Sequence, residues 1–169
     1  FKAHPQYCHY TDFVFFLLSM GCRMGEAAGL RWKHLGADYS TAWIGESISR
    51  GHQNNKGTKT GKSRTIGLPP SVRSMLVNRF DRLSPQPDDL VFMSPKGLPM
   101  HDHRFRRRAW KTILASCHVE YRSPYNLRHT AASHLLANKV NPIAVAEQLG
   151  HSKQVLLDTY AHAIGNECL

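Results

Sequence analysis

A chain of 169 residues has the length of a single domain and enough material for a buried core. Its 22 Lys and Arg against 12 Asp and Glu leave a formal charge of +10, a balance that suits a polyanionic partner. No apolar run approaches the roughly 20 residues of a membrane span and no targeting pattern is visible, so no membrane partner is expected for these residues. Four cysteines, at positions 8, 22, 117 and 168, form no Cys-x-x-Cys pair, so free thiols in a reducing cytoplasm are expected.

In chain order, Tyr10 to Met20 predicts a buried opening helix, its Phe13–Met20 stretch too short to cross a bilayer, and Gly25 to Arg31 a second helix. Trp43 to Ser49 alternates as a strand does, and His52 to Gly57 reads as a polar turn. Thr58-Lys59-Thr60-Gly61-Lys62-Ser63-Arg64 then reads as a hairpin, with Lys56, Lys59, Lys62 and Arg64 making it a basic surface. Pro69-Pro70-Ser71 opens a helix with Val72, Met75, Leu76 and Phe80 inside. Leu90 to Met93 is a short buried segment, and Ser94 to Pro99 a turn.

Asp102 to Ser116 predicts a basic helix whose apolar stripe is Phe105, Ala109, Trp110, Ile113 and Leu114. Arg104, Arg108 and Lys111 share its other face, where contact with DNA phosphates would set affinity and salt dependence more than sequence choice. His101-Asp102-His103 is the nearest approach to a ligand cluster, but it reads as the start of this helix, and no metal or other cofactor is expected. The last third is helical over 125–137, 142–149 and 153–160. Asn141-Pro142 supplies an N-cap with proline at the first position, Ile143, Ala146 and Leu149 recur at helical spacing, and Gly150 stands where a C′ glycine ends a helix. Ser152 reads as the next N-cap.

That last third carries the chemistry. Tyr125-Asn126-Leu127-Arg128-His129-Thr130 is followed by Leu149-Gly150-His151-Ser152 and, nine positions after His151, by Tyr160. An arginine and a histidine are thus set near a tyrosine able to act as a nucleophile, with His151 at a helix entrance and Tyr160 about two turns on. Taken singly, the tyrosine is a packing residue, the histidine a cap and the arginine a surface cation; the joint pattern points to phosphoryl transfer. Upstream, Gly21-Cys22-Arg23-Met24-Gly25-Glu26 sets another arginine just ahead of an apolar helix.

With the Thr-Lys-Thr-Gly-Lys hairpin included, the set resembles the catalytic domain of tyrosine recombinases, the phage-integrase family, from about Tyr10 to Ala163. The resemblance implies a mainly α fold with a small antiparallel β-sheet (α+β), as in type IB topoisomerases. Arg23 in Gly-x-Arg-x-x-Glu matches the first catalytic arginine, Lys59 the hairpin lysine, Arg128 the second arginine, His151 the Leu-Gly-His position and Tyr160 the nucleophile. Guanidinium forks suit the charge that builds on non-bridging phosphate oxygens. Arg23 and Arg128 would form the clamp, and Lys59 would protonate the leaving 5′ oxygen. Tyr160 would hold the 3′ phosphate in a phosphotyrosyl link, so cutting and rejoining need neither ATP nor metal.

One departure is evident. The family's histidine three residues before the second arginine is Tyr125 here, and a phenol, protonated at neutral pH, donates hydrogen bonds but is a poor base. The resemblance also implies double-stranded DNA as partner, a tetrameric synapse in a full-length protein, a cytoplasmic, nucleoid-associated place of action, and a further N-terminal DNA-gripping domain absent from 1–169. Three readings stay open: a site-specific recombinase or integrase, a topoisomerase IB-like relaxing enzyme, and a DNA-binding module whose catalysis has lapsed.

Overall fold

In the computed structural model, which describes residues 1, 3–48, 56–57 and 63–164, the chain is mostly helical with two small antiparallel β-pairings. A 3-10 turn over Pro5–Tyr10 leads into α1, Thr11–Met20, which ends where Gly21 takes the left-handed conformation at φ 63° and donates its N–H to the Leu17 carbonyl. A Cβ on Gly21 would also strike Leu149, 2.5 Å away, so both backbone and packing require glycine here. Helix α2 is Met24–Ala28, shorter than the pattern suggests. Beyond it the chain turns extended, because Arg31 bridges to Leu90 and the Val91 N–H donates to the Leu30 carbonyl at 2.8 Å.

The expected strand divides at Gly45 into β1, Thr41–Ile44, and β2, Glu46–Ser47. β3, Lys56–Gly57, pairs with β2 where a turn was expected, and β4, Arg64–Gly67, pairs with β1 in the register Ala42 opposite Ile66. Proline at the first position opens α3, Pro70–Leu83. Val72 and Leu76 are fully buried as the pattern predicts, but Phe80 lies at the surface edge, its ring 5.3 Å from that of Trp32. Arg79 goes inside in its place, donating to the Asp12 carboxylate at 2.7 Å and to the Val91 carbonyl at 2.6 Å.

The basic helix is not α-helical throughout. A π-helical stretch, Phe105–Trp110, joins α4, Asp102–Arg104, to α5, Lys111–Ser116, and Trp110 is fixed by an indole N–H bond to the Arg122 carbonyl at 2.7 Å. Phe105, Ala109, Trp110 and Ile113 still face the core. The final helices are α6, Asn126–Ala137, α7, Pro142–Leu149, and α8, Lys153–Ile164. Asn141 caps α7 through the Ile143 N–H, Gly150 closes it at φ 67°, and Ser152 Oγ accepts from the Val155 N–H. Ile143 is exposed, and Val145 takes the inward position in its stead.

Buried residues form two clusters. The larger is aromatic, built on Phe13, Phe16, Phe92 and Phe105 with Leu76, Ile44 and Ile66. The smaller lies among α6, α7 and α8 and holds Ala132, Leu136, Val145, Leu149, Leu156 and Tyr160. Among the described residues no helix is long and apolar enough to cross a membrane.

Candidate active site

The site forms where helix C-termini meet. The left-handed glycines after α1 and α7 turn the chain and leave the last carbonyls of both helices free to accept hydrogen bonds. Arg128, on the first turn of α6 and only 2% exposed, joins them: its Nη1 donates to the Gly21 carbonyl and its Nη2 to the Leu149 carbonyl, both at 2.7 Å. These are the negative ends of two helix dipoles, which favour a cation. Arg23 Nη2 donates to the next carbonyl along, Gly150 O, at 3.3 Å, so the two guanidinium groups share adjacent peptides.

Among the described residues Arg128 has no carboxylate partner at hydrogen-bond range, and its buried Nε has no hydrogen-bond partner. Burial lowers its pKa from the usual arginine value, and the Arg23 charge lowers it further. A buried, under-compensated cation with a spare N–H is the complement of an anion such as a phosphate. Arg128 also lines a cleft of about 230 Å³ with Cys22, Asp102, Arg106, Ser123 and Tyr125. Cys22 is not a reactive thiol, since burial and then the Glu26 charge push its pKa up to about 12.

Arg23 has its own counter-charge. Its Nη1 meets Glu26 Oε1 at 2.9 Å and its backbone N–H meets Oε2 at 3.0 Å, a reciprocal cap on α2. Arg64 approaches the same carboxylate from β4, with Nη2 2.8 Å from Oε2 and Nη1 3.2 Å from Oε1, while its Nε donates to the Gln148 carbonyl. Burial opposes ionisation of Glu26, but the hydrogen bonds and charge of Arg64, with those of Arg23, outweigh it and hold the pKa below the ordinary carboxylate value. Arg64 therefore differs from its expected place on a DNA-facing hairpin surface. Its fork is turned inward, because the Glu26 carboxylate would otherwise be a buried charge with half its partners missing. A Cβ on Gly150 would press on the Arg64 guanidinium at 2.9 Å, so this glycine too serves both turn and packing.

His151 follows Gly150 and is partly buried. Its pKa is lowered to about 4, first by burial and then by the charges of Arg128, Arg23, His129 and Arg64. At neutral pH the ring is uncharged, a hydrogen-bond donor through one nitrogen only. Its Nδ1 is buried with no hydrogen-bond partner among the described residues.

Tyr160 lies on α8 at a break in the helical geometry, φ −121° and ψ 17°, and is 2% exposed. Its hydroxyl is 2.9 Å from His129 Nδ1. Burial raises the Tyr160 pKa against the lowering field of Arg128, with Tyr125 adding to the rise. Tyr125 is half-exposed and sets its ring edge-on to His129, with centroids 5.0 Å apart and planes at 73°. The sequence motif contains His129 but gives it no role, although a spacing of four on a helix sets it beside Tyr125.

Arg23, Tyr125, Arg128, His151 and Tyr160 thus lie around one seam between the two cores. Lys59 and Lys62 lie outside the described residues, and Lys56 is placed by its backbone in β3. Arg104, Arg108 and Lys111 are exposed, and Arg104 and Arg108 border a hollow with His103 and Arg107. Among the described residues no three His, Cys, Asp or Glu side chains converge as a metal site would need.

The class is that of a mainly helical domain with arginines clustered beside a buried tyrosine. The phage integrase family model matches residues 1–167, and the chain belongs to that family. It is 28% identical over 148 residues to a tyrosine recombinase of Pseudothermotoga lettingae, covering 87% of this chain and 47% of that protein. It is 30% identical over 116 residues to the tyrosine recombinase XerD of Chlamydia muridarum, covering 61% of this chain and 37% of that protein. The chain spans about half the length, or less, of these curated relatives. Among solved structures, the Tn1549 transposon integrase in complex with a circular-intermediate DNA matches with a TM-score of 0.78 at 22% identity, covering 94% of this chain and 56% of that one. The XerH recombinase bound to its difH substrate matches at 0.67 and 22%, covering 94% and 44%. These likenesses establish the fold, mainly α with a small antiparallel sheet.

Proposed function

We propose that this chain is the catalytic part of a site-specific DNA recombinase or integrase, which cleaves and rejoins double-stranded DNA through a 3′-phosphotyrosyl link at Tyr160. One observation carries the reading: Arg128 is buried with a spare N–H and, among the described residues, no carboxylate partner, beside Arg23, and its charge bears on both His151 and Tyr160. That arrangement suits a phosphate held by Arg128 in its cleft with the Arg23 charge nearby.

In this scheme Arg23 and Arg128 hold the non-bridging oxygens, and neutral His151 donates a third hydrogen bond. Tyr160 Oη attacks phosphorus, the bond to the 5′ oxygen breaks, and Lys59 supplies that oxygen's proton. Tyr125 donates a hydrogen bond from the mouth of the cleft. The bond energy is kept in the phosphotyrosyl link, so the free 5′ hydroxyl reverses the step without ATP, and the cations stabilise charge that two metal ions stabilise in many nucleases. Arg104, Arg108 and Lys111, with Lys56 and Lys62 from the hairpin, contact the DNA backbone. The whole protein acts on DNA in the cytoplasm and assembles four protomers at a synapse, in keeping with DNA-bound neighbours of the same fold.

The test is incubation with negatively supercoiled plasmid at low salt, stopped with denaturing detergent. A covalent protein–DNA adduct is expected, and Tyr160→Phe should abolish it while still binding DNA. Binding without an adduct by the unaltered chain would overturn the reading. Joining of two duplexes by the whole protein separates a recombinase from a relaxing enzyme.

A further inference from the structure

We propose that His129 is the general base that takes the proton from Tyr160, a catalytic residue in the place where Tyr125 cannot serve. The inference rests on the reading of Tyr160 as nucleophile and adds the group that activates it.

The geometry is local and direct. Tyr160 Oη and His129 Nδ1 are 2.9 Å apart, within the range for proton transfer to a positioned base. Tyr160 has no other hydrogen-bond partner among the described residues, and its 2% exposure keeps bulk water from competing as base. In the neutral imidazole with its proton on Nε2, Nδ1 is the acceptor and the phenol the donor. The ring is flanked by two others, Tyr125 edge-on with centroids 5.0 Å apart and Tyr160 tilted by 48° with centroids 5.8 Å apart. His129 is partly buried and adjoins Arg128 in sequence, so base and phosphate clamp ride on the same turn of α6.

The alternatives at the site are weaker bases. Tyr125 carries a phenol, a side chain that donates hydrogen bonds but makes a poor general base. His151, lowered to about 4 by burial and by the arginine charges, has little affinity for a proton. The charged and titratable groups facing His129 are Tyr160 on α8, Tyr125 at the N-cap of α6 and His151 on the turn before α8. Histidine is the side chain that exchanges a proton between pH 5 and 8.

The step balances. The Tyr160 proton passes to His129 Nδ1, the Oη–phosphorus bond forms, the bond from phosphorus to the 5′ oxygen breaks, and that oxygen leaves with a proton from the lysine acid. On rejoining, the 5′ hydroxyl gives its proton back to the now neutral lysine as it attacks phosphorus, the Oη–phosphorus bond breaks, and the imidazolium returns its proton to Oη.

The test measures the rate of adduct formation on negatively supercoiled plasmid between pH 5.5 and 8.5. His129→Asn keeps a polar atom near the Nδ1 position without its basicity. The expected result is a rate lower by about 10²- to 10⁴-fold, the usual contribution of general acid–base catalysis, with loss of the rise between pH 5.5 and 7.5. His129→Ala should regain rate on addition of imidazole. DNA binding and melting temperature of both variants, measured alongside, should stay near those of the unaltered chain. A His129→Asn rate within a few-fold of the original, with the pH rise intact, would overturn the assignment and leave Tyr160 standing as nucleophile. A loss of rate matched by a loss of binding, with no response to imidazole, would overturn it in favour of a structural role. No adduct from the unaltered chain would remove both readings together.

Discussion

The first two thirds of the chain and its last third bury themselves by different means. In the first, Phe13, Phe16, Phe92 and Phe105 interlock edge to face across α1, the 90s segment and the π-helical stretch, a large core with few polar atoms. In the last, α6, α7 and α8 enclose a smaller aliphatic cluster that includes the Tyr160 ring, and they lean on the first through Arg128 and Arg64. The lesson is a division of labour. Close-packed aromatics fix the frame, and the candidate site residues sit on a lighter layer tied to that frame both by apolar contact, as of Leu127 with the aromatic core, and by directional bonds from Arg128 and Arg64 to carbonyls beside the site.

The largest effect should come from cutting the tie that serves both layers. Arg128→Lys retains the charge but not the fork, so one amine cannot reach both the Gly21 and Leu149 carbonyls and still meet a phosphate. Adduct formation on supercoiled plasmid is expected to fall by about 10²- to 10³-fold, the scale of losing one transition-state donor. A carbonyl left without its donor costs roughly 1–3 kcal/mol in denaturant unfolding. If adduct formation were unaffected, charge alone would suffice and the fork would be incidental.

Next is the ion cluster that anchors α2 to β4. Glu26→Gln leaves Arg23 and Arg64 without their shared buried counter-charge, and breaking such a pair from one side costs about 3–5 kcal/mol. Urea unfolding measures this. A cost under about 1 kcal/mol would mean that solvent reaches the cluster and that Arg64 is free to turn outward after all.

Truncations sharpen the contrast between the cores. Phe13→Ala empties the centre of the aromatic core and should cost about 3–5 kcal/mol, with lost hydrogen-exchange protection throughout α1 and α3. Leu156→Ala should cost about 2–5 kcal/mol, and its effect on exchange should concentrate in α6–α8. Equal loss of protection along the whole chain in both variants would show one cooperative unit and erase the distinction.

Much of the frame was legible because it depends on local rules. Pro70, Asn141, Gly150 and Ser152 each act on the turn they occupy, and Val72, Leu76, Ala146 and Leu149 follow helical period. What escaped was decided at long range. Arg79 and Phe80 exchange their expected places because Asp12, 67 residues from Arg79, offers a partly buried carboxylate and Trp32 an aromatic ring. Arg64 turns inward for Glu26, 38 residues away. Nothing in the order of residues marks either partner. The site reads the same way: its residues stand out as motifs, but the hydroxyl of Tyr160 meets His129 through the packing of α8 on α6, which no spacing displays.

The smallest predicted effect bears on the seam itself. His151 folds with its pKa lowered to about 4, against about 6.5 in an unfolded chain, so the unfolded state binds its proton first as the pH falls. The native state keeps its full advantage above about pH 6.5 and loses it progressively toward about pH 4, below which both states are protonated and the loss stops growing. Solvent screening at this partly exposed ring trims the size of the effect without changing its sign. Glu26 acts in a separate window: its depressed pKa stabilises the fold above about pH 4.5 and is lost only below that. Melting temperatures of the original and His151→Gln should therefore diverge in slope between pH 6.5 and 4, the variant falling less. Parallel slopes would mean that His151 is solvated when folded, and that the arginine field at the seam is already neutralised before any phosphate arrives.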